Sequence, residues 1–279
     1  MHSKQANDST RDLEARDLEP VRFSRLNLMA QSAAHFAHGV QQDEDEEEDT
    51  AAMRKGSATH AYLLGQSDRV TVYRDGARNK KHKKYQDFMA AHPDKLILSP
   101  KEHAQAEGMR RSIQRHARAL ELLDGIQERR IWWDIGGRPC AGTPDVVTFL
   151  PKRGDVVPKR VVELKTARTS APHLFQWLAR KAFYHAQVAW YSEGVERTLV
   201  YPPGPVEEHY VVAVESTPPY PVTVLRVCPS MLTLGRKQWR LWWEALAVCE
   251  ATGRFPAYVE SDVEWEDEEV ELEWDEAAA

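Results

Sequence analysis

The sequence predicts an α/β fold, and three stretches carry that prediction. Residues 145–165 contain two β-branched, apolar runs separated by a turn-like segment, which is typical of paired strands. Ser99-Pro100-Lys101-Glu102 combines a serine N-cap, a proline in the first turn and a glutamate three positions on, which indicates a helix start. Residues 170–193 are predicted to form a long helix that ends before Gly194.

The remaining elements follow from hydrophobic periodicity, taken in chain order. The predicted helices are 23–40, 51–64, 99–123, 170–193 and 231–252. The predicted strands are 70–73, 128–134, 146–150, 161–166, 207–214 and 221–227. We expect one domain over residues 21–259, with a polar N-terminal tail at 1–20, an acidic loop at 43–49 and an acidic tail at 260–279.

Composition limits the class of protein. A hydrophobic content of 42% in 279 residues is enough for a substantial core. The chain has no long apolar run that would cross a membrane and no signal-peptide pattern at its start. Its three scattered cysteines favour a reducing cytoplasm and disfavour zinc, disulfide or iron–sulfur frameworks.

The formal net charge of −6 conceals a basic body. The segments 43–49 and 260–276 contain seven and eleven acidic residues and no basic ones, whereas residues 51–259 contain 32 basic and 20 acidic residues. A basic body suits a polyanionic partner such as nucleic acid, although a solvated basic surface is the alternative. The acidic tail is either a solvated segment or one that binds a partner or the basic body.

Three polar residues in the central stretch are not needed for folding. Asp145 begins the first strand run, and Glu163 and Lys165 lie within the second. Because side chains alternate along a strand, Glu163 and Lys165 share one face, opposite Val162 and Leu164. Two neighbouring carboxylates favour a shared cation, and Mg²⁺ prefers hard oxygen ligands. This set suits metal-assisted hydrolysis of a phosphodiester, with the lysine orienting the attacking water.

These residues resemble the signature of the PD-(D/E)XK nuclease superfamily, in which a Pro-Asp pair is followed by Glu-x-Lys. The segments Gly56–Gly65, containing His60, and Gln187–Tyr191 are similar to the histidine and Gln-x-x-x-Tyr motifs of its RecB-like branch. Tyr184–Gly194 and Phe255–Tyr258 resemble RecE-type phage recombination exonucleases. The resemblance extends over about residues 23–258.

The resemblance implies a restriction-endonuclease-like core, with a mixed central sheet flanked by helices. It also implies a Mg²⁺-dependent DNA exonuclease, with Mn²⁺ accepted, that degrades linear double-stranded ends from 5′ to 3′ for recombination. A homo-oligomeric ring, a RecT-like single-strand annealing partner and a bacterial or phage-encoded cytoplasmic protein follow in the same way. The alternatives are a single-strand-specific or endonucleolytic relative and a catalytically silent DNA-binding module on this fold.

Roles for individual residues follow from the same resemblance. Asp145, Glu163 and the Leu164 carbonyl would hold the metal, together with His60, for which a buried structural histidine is the alternative. Lys165 would activate water, supported by Gln187 and Tyr191, which lie four residues apart on one helix face. Basic residues that are candidates for the DNA backbone, or else solvated surface, are Arg78, Lys80, Lys81, Lys83, Lys84, Arg110 and Arg111.

Overall fold

The structure is a computed structural model that describes residues 19–41 and 50–258. The predicted acidic loop, the acidic tail and nearly all of the predicted N-terminal tail lie outside the described residues. The helices are α1 Phe23–Leu26, α2 Ala33–Gln41, α3 Ala51–Leu63, α4 Lys83–Ala91, α5 Pro100–Arg115, α6 Ala117–Leu122, α7 Pro172–Lys181, α8 Tyr184–Arg197 and α9 Pro229–Thr252. The strands are β1 Val70–Val72, β2 Leu96–Leu98, β3 Ile126–Gln127, β4 Ile131–Ile135, β5 Arg138–Gly142, β6 Val146–Phe149, β7 Lys159–Ala167, β8 Val206–Glu215 and β9 Val222–Arg226.

A five-stranded mixed sheet in the order β3-β6-β7-β8-β9 forms the centre of the protein. The β6–β7 pair is antiparallel with Val146 opposite Val162, so the hairpin predicted around the two polar runs is confirmed. The β7–β8 pair is parallel, and β8–β9 is antiparallel. The predicted α/β class with a mixed central sheet flanked by helices is therefore confirmed.

Both faces of the central sheet are covered by helices. Val161 and Val211 belong to an apolar cluster with Trp190 of α8 and tryptophans of α9. Val162 and Val212 point the other way and pack with Met109 of α5. This alternation places Glu163 and Lys165 on the same side of β7 as Val161, facing α8. No helix in residues 19–41 or 50–258 has the length and apolar character needed to cross a bilayer.

The N-terminus of α5 has the predicted cap, but the long helix predicted over 99–123 is interrupted. Ser99 and Glu102 form both hydrogen bonds of a capping box. At His116 the backbone turns extended, with φ −93° and ψ 96°, and its side chain accepts a hydrogen bond from the Ala119 amide. His116 therefore ends α5 and caps α6, an event that helical periodicity does not reveal.

The helix predicted over 170–193 is also two helices. Phe183 adopts a left-handed backbone with φ +57° between α7 and α8. The second helix continues past Gly194 to Arg197. Gly194 is needed for packing, because a Cβ there would come within 2.7 Å of the Trp133 ring. Close packing against Trp133, and not helix termination, accounts for this glycine.

Candidate active site

Strand β7 presents Glu163 and Lys165 at the end of the sheet where β6 begins. The Lys165 ammonium donates a hydrogen bond to Glu163 Oε2 at 3.0 Å. The carboxylate of Glu163 is almost fully buried, with 1% of the residue exposed. Its other oxygen, Oε1, accepts a bond from the Asp145 backbone amide at 3.3 Å. The three residues expected from the sequence to converge are therefore in contact.

Asp145 is fixed by the β6–β7 pairing. Its Oδ2 accepts a hydrogen bond from the Leu164 backbone amide at 2.6 Å. Together with the bond from the Asp145 amide to Glu163, this forms a reciprocal link between the two strands. Because Oδ2 is occupied in this way, Oδ1 is the oxygen that Asp145 directs towards His60.

Helix α3 brings His60 to the same place. Its Nδ1 lies 3.7 Å from Asp145 Oδ1. Burial is the main effect on His60 and lowers its pKa, while Asp145 and a hydrogen bond with the Leu164 carbonyl oppose the change. A neutral imidazole can offer a ring nitrogen to a metal. The contacts place His60 and the Leu164 carbonyl, both candidate ligands, beside the carboxylates.

The structure adds a carboxylate that the sequence interpretation missed. Glu128 was expected to begin a strand, but β4 begins at Ile131 and Glu128 has a left-handed backbone with φ +44°. Its amide donates to the Asp145 carbonyl at 2.9 Å. One ligand atom each from His60, Glu128 and Asp145 lie within 4.8 Å of one another. The unusual Glu128 backbone, which places this carboxylate at the site, has no sequence signal.

Glu128 is held in place by the residues that follow α3. The Gln66 side-chain amide donates to Glu128 Oε2, and its oxygen accepts a hydrogen bond from Arg69. These two bonds determine which way the Gln66 amide faces, because its nitrogen donates and its oxygen accepts. The segment that supplies His60 thus also orients the carboxylate of Glu128 through Gln66.

Helix α8 covers the site on the face of the central sheet that carries Glu163 and Lys165. Gln187 Nε2 donates to the Tyr191 hydroxyl at 3.4 Å, as expected for residues four apart on one helix face. Tyr191 passes close to β5, where a Cβ on Gly142 would lie 2.9 Å from its ring. The Lys165 ammonium lies 5.2 Å from the centre of the Tyr184 ring, a cation–π distance. Aromatic rings therefore limit where the lysine side chain can go.

Burial and neighbouring charge determine the protonation states. Burial, with a further contribution from Asp145, raises the pKa of Glu163 to about 8, although Lys165 opposes the rise. Burial disfavours the Lys165 ammonium, but the Glu163 and Asp145 carboxylates outweigh it and raise the lysine pKa. Burial raises the pKa of Glu128, with Asp145 adding to it. Burial also raises the pKa of Tyr191, so the phenol stays neutral.

The donor set fits a divalent metal ion. Glu128, Asp145 and Glu163 bring three carboxylates together, and the Lys165 ammonium offsets only part of their negative charge when they are ionised. Oxygen donors suit Mg²⁺, and the neutral imidazole of His60 is equally compatible with Mn²⁺. Two close carboxylates that share a cation lose the repulsion that raises their pKa values. The group of His60, Glu128 and Asp145 is therefore a candidate site for a divalent metal ion.

The seven basic residues that are candidates for DNA contact differ in their bonding partners and in their exposure. Arg78 donates to the Ile97 carbonyl at 2.6 Å and to Glu102 at 3.2 Å, so its charge supports the fold. Arg110 pairs with Glu107 at 2.8 Å on the same helix. Five candidates are exposed, namely Lys80, Lys81, Lys83, Lys84 and Arg111. A role in DNA binding stays a prediction for all seven.

Two cavities adjoin the site. The larger has a volume of about 620 Å³ and is a cleft lined by His60, Glu128, Lys165, Tyr184 and Arg69 among others. The smaller cavity has a volume of about 140 Å³ and is lined by Tyr191 and Gly142 among others. The site is therefore open to solvent through the larger cleft, which His60, Glu128 and Lys165 line.

The sheet topology and the convergence of Asp145, Glu163 and Lys165 define a PD-(D/E)XK-type domain. The family model described as "PDDEXK-like domain of unknown function (DUF3799)" matches residues 22–264, and the chain belongs to this family. Membership of the RecE-type branch stays a prediction.

A solved structure from Eubacterium rectale shares this fold. The crystal structure of a protein named "putative exonuclease" from Eubacterium rectale has a TM-score of 0.59 and 15% sequence identity, with 88% of this chain and 86% of that chain covered. At this identity the similarity concerns the fold. The crystal structure of SSO0001 has a TM-score of 0.27 at 10% identity, covers 77% of this chain and 84% of that chain, and carries no argument. No curated protein sequence matches the chain.

Proposed function

We propose that this protein is a divalent-metal-dependent DNA exonuclease that acts on the ends of linear double-stranded DNA. The observation that carries the proposal is the convergence of Glu128, Asp145, Glu163 and Lys165 beside a solvent-open cleft, which Glu128 and Lys165 line. Carboxylates that hold a metal next to an ammonium are suited to phosphodiester hydrolysis with water as the nucleophile. The name of the similar Eubacterium rectale protein points to the same activity.

The residues have distinct roles in this reaction. Asp145, Glu163, Glu128 and His60 would hold the metal, which when bound stabilises negative charge on the phosphate and lowers the pKa of water. Hydrolysis consumes one water, whose oxygen bonds to phosphorus while the bond from phosphorus to a bridging sugar oxygen breaks. That sugar oxygen leaves with a proton.

Lys165 acts as a protonated residue in this scheme. Its raised pKa keeps the ammonium charged at neutral pH, so it donates hydrogen bonds and does not accept a proton. From its position beside Glu163 and Tyr184 it would orient the attacking water and balance the charge that develops on the phosphate. Gln187 and Tyr191 support this geometry from α8, because the neutral phenol packs beside the lysine and its carboxylate partner.

The smaller cavity supports a preference for DNA ends. It is lined by Arg22 and Arg130 and by the hydroxyl residues Ser24 and Thr143, and Tyr191 separates it from the catalytic cleft. Arginine and hydroxyl groups suit a phosphate, and a small pocket of about 140 Å³ suits a terminal group better than a continuous strand. A terminal 5′-phosphate held there would place the adjacent phosphodiester near Lys165. This arrangement favours removal of nucleotides in the 5′ to 3′ direction.

The test compares a linear duplex labelled at its 5′ ends with a closed circle, each with Mg²⁺ or Mn²⁺. Wild-type protein should release labelled mononucleotide early from the linear DNA, faster when the end has a 5′-phosphate than a 5′-hydroxyl. Lys165→Ala should abolish release but retain DNA binding. Cleavage of the circle would support an endonuclease instead, and cleavage of single strands alone a single-strand-specific enzyme. Binding without any cleavage would support a silent module.

Ring assembly and a single-strand annealing partner belong to the same proposal. They are the properties implied by the RecE-type resemblance, and the central basic body is compatible with a protein that surrounds DNA. The mass of the purified protein in solution, by light scattering, would show a multiple of 31.9 kDa for a closed ring.

A further inference from the structure

Helix α7 is poorly covered by the rest of the protein. Of its ten residues, Phe175 is the buried one. Leu174 and Trp177 are 49% and 61% exposed. Large apolar side chains usually gain free energy by burial, about 1.5–3 kcal/mol for a leucine-sized group, so two of them exposed on one short helix require an explanation.

The exposed residues share one face of this helix. Leu174, Trp177 and Lys181 are spaced by three and four positions, which places them on adjacent turns of the same side. The Lys181 ammonium lies 5.2 Å from the centre of the Trp177 ring, within cation–π distance. Phe175 points the other way and packs against the core. The result is an open platform of one indole ring and one apolar side chain beside a cation.

The chain segment that carries the platform is basic. Residues 164–192 contain no aspartate or glutamate. Arg168, Arg180 and Lys181 are all exposed within this span. A protein partner with an apolar face would be matched by a wider apolar patch, whereas a polyanion is matched by cations around a single aromatic ring. Charge complementarity therefore favours nucleic acid as the occupant.

The platform is connected to the active site by a short chain of contacts. Helix α7 follows β7, the strand that carries Glu163 and Lys165, after four residues. Phe175 packs against Tyr184 with ring centres 6.3 Å apart. Tyr184 lines the catalytic cleft and contacts Lys165. Helix α7 is thus packed directly against a residue that lines the catalytic cleft.

We propose that the exposed face of α7 is a binding platform for single-stranded DNA, in which Trp177 stacks on a nucleobase while Lys181 and Arg180 contact the flanking phosphates. The inference rests on the proposed nuclease function and specifies how the substrate strand is held next to the catalytic cleft. Stacking on an aromatic face is tolerant of base identity, which suits an enzyme that degrades DNA regardless of sequence.

The test measures binding of a fluorescently labelled single-stranded oligonucleotide by anisotropy, with EDTA present so that no cleavage occurs. Trp177→Ala should weaken binding by about 5- to 150-fold, the range expected for losing one stacked base. Trp177→Phe should recover most of the affinity, because phenylalanine retains a stacking face. Leu241→Ala is the matched control, since Leu241 is 62% exposed on α9 and should leave affinity unchanged.

A second oligonucleotide of the same length and charge, but with abasic sites, separates stacking from electrostatics. Wild-type protein should bind it more weakly than the normal strand, and Trp177→Ala should bind both equally. Unchanged affinity in Trp177→Ala, or an equal loss for both oligonucleotides, would overturn the platform. A Trp177→Ala variant with altered solution mass and normal DNA affinity would also overturn it, by identifying α7 as a contact between copies of the chain.

The outcome is independent of the test of catalysis. If Lys165→Ala abolishes cleavage while Trp177→Ala binds DNA normally, the nuclease function stands and the platform is wrong. If the wild-type protein does not cleave DNA but its DNA binding depends on Trp177, the platform stands and the nuclease function is wrong.

Discussion

Replacing Glu163 by glutamine tests the electrostatics of the site in the metal-free protein. The folded protein raises the pKa of Glu163 from 4.5 to about 8, mainly through burial. Between these two values the folded state keeps a proton that the unfolded state has lost. Stability linked to Glu163 is therefore fully present below pH 4.5 and is lost as the pH rises through about 8. Glutamine does not titrate, so the free energy of unfolding of Glu163→Gln lacks this pH-dependent decrease.

The size of the effect follows from the pKa shift. One pKa unit corresponds to about 1.4 kcal/mol, so the whole difference is on the order of 5 kcal/mol. The free energy of unfolding of the wild type, minus that of Glu163→Gln, should fall by about 1.4 kcal/mol per pH unit over this window. Above pH 8 the difference should become constant. In the wild type the raised pKa of Lys165 acts only at higher pH.

Urea unfolding followed by tryptophan fluorescence, in EDTA at several values from pH 5 to 9, would measure this difference. Glu244→Gln is a matched control, because Glu244 is exposed on α9 and its replacement should give a nearly flat difference. A Glu163→Gln difference that varies by less than about 1 kcal/mol over the window would refute the reasoning. A difference that rises with pH would mean that Glu163 is stabilised in its charged form.

Three further results are expected. Gln66→Leu should weaken Mn²⁺ binding by about 10- to 100-fold in calorimetry, because Gln66 orients Glu128; equal affinity would remove this role. Glu102→Gln should lower the free energy of unfolding by about 1.5–3 kcal/mol, because two partly buried arginines lose their charged partner; a loss below about 1 kcal/mol would contradict that. Gly235→Ala should cost about 1–3 kcal/mol in urea unfolding, because a Cβ would lie 2.3 Å from the His185 carbonyl oxygen; a stability equal to the wild type would show that α8 and α9 can separate.

Local periodicity allowed the central motif to be predicted from the sequence. A strand alternates its side chains, so Glu163 and Lys165 had to share a face wherever β7 packed. A helix repeats every 3.6 residues, so Gln187 and Tyr191 had to be neighbours. The hairpin between β6 and β7 follows from the turn between two β-branched runs, and it brings Asp145 to Glu163. Each of these relations depends on residues close together in the chain.

The sequence alone did not predict features that depend on distant contacts. Glu128 reaches Asp145 because its backbone is left-handed and Gln66, 62 residues away, binds its carboxylate. Arg78 belongs to a sequence that suggests DNA contact, but Glu102 and the Ile97 carbonyl bind it within the fold. The break at Phe183, which creates α7, has no proline or glycine to indicate it.

By itself, the sequence determined the fold class, the identity of the central hairpin and the three residues at its centre. Short-range geometry decides these, because strand and helix periods operate over two to four residues. Tertiary structure alone decided the third carboxylate, that of Glu128, the two cavities and the exposure of Trp177. Those features depend on which surfaces meet after the chain has folded, and the free energies that select them come from burial and pairing between residues far apart in sequence.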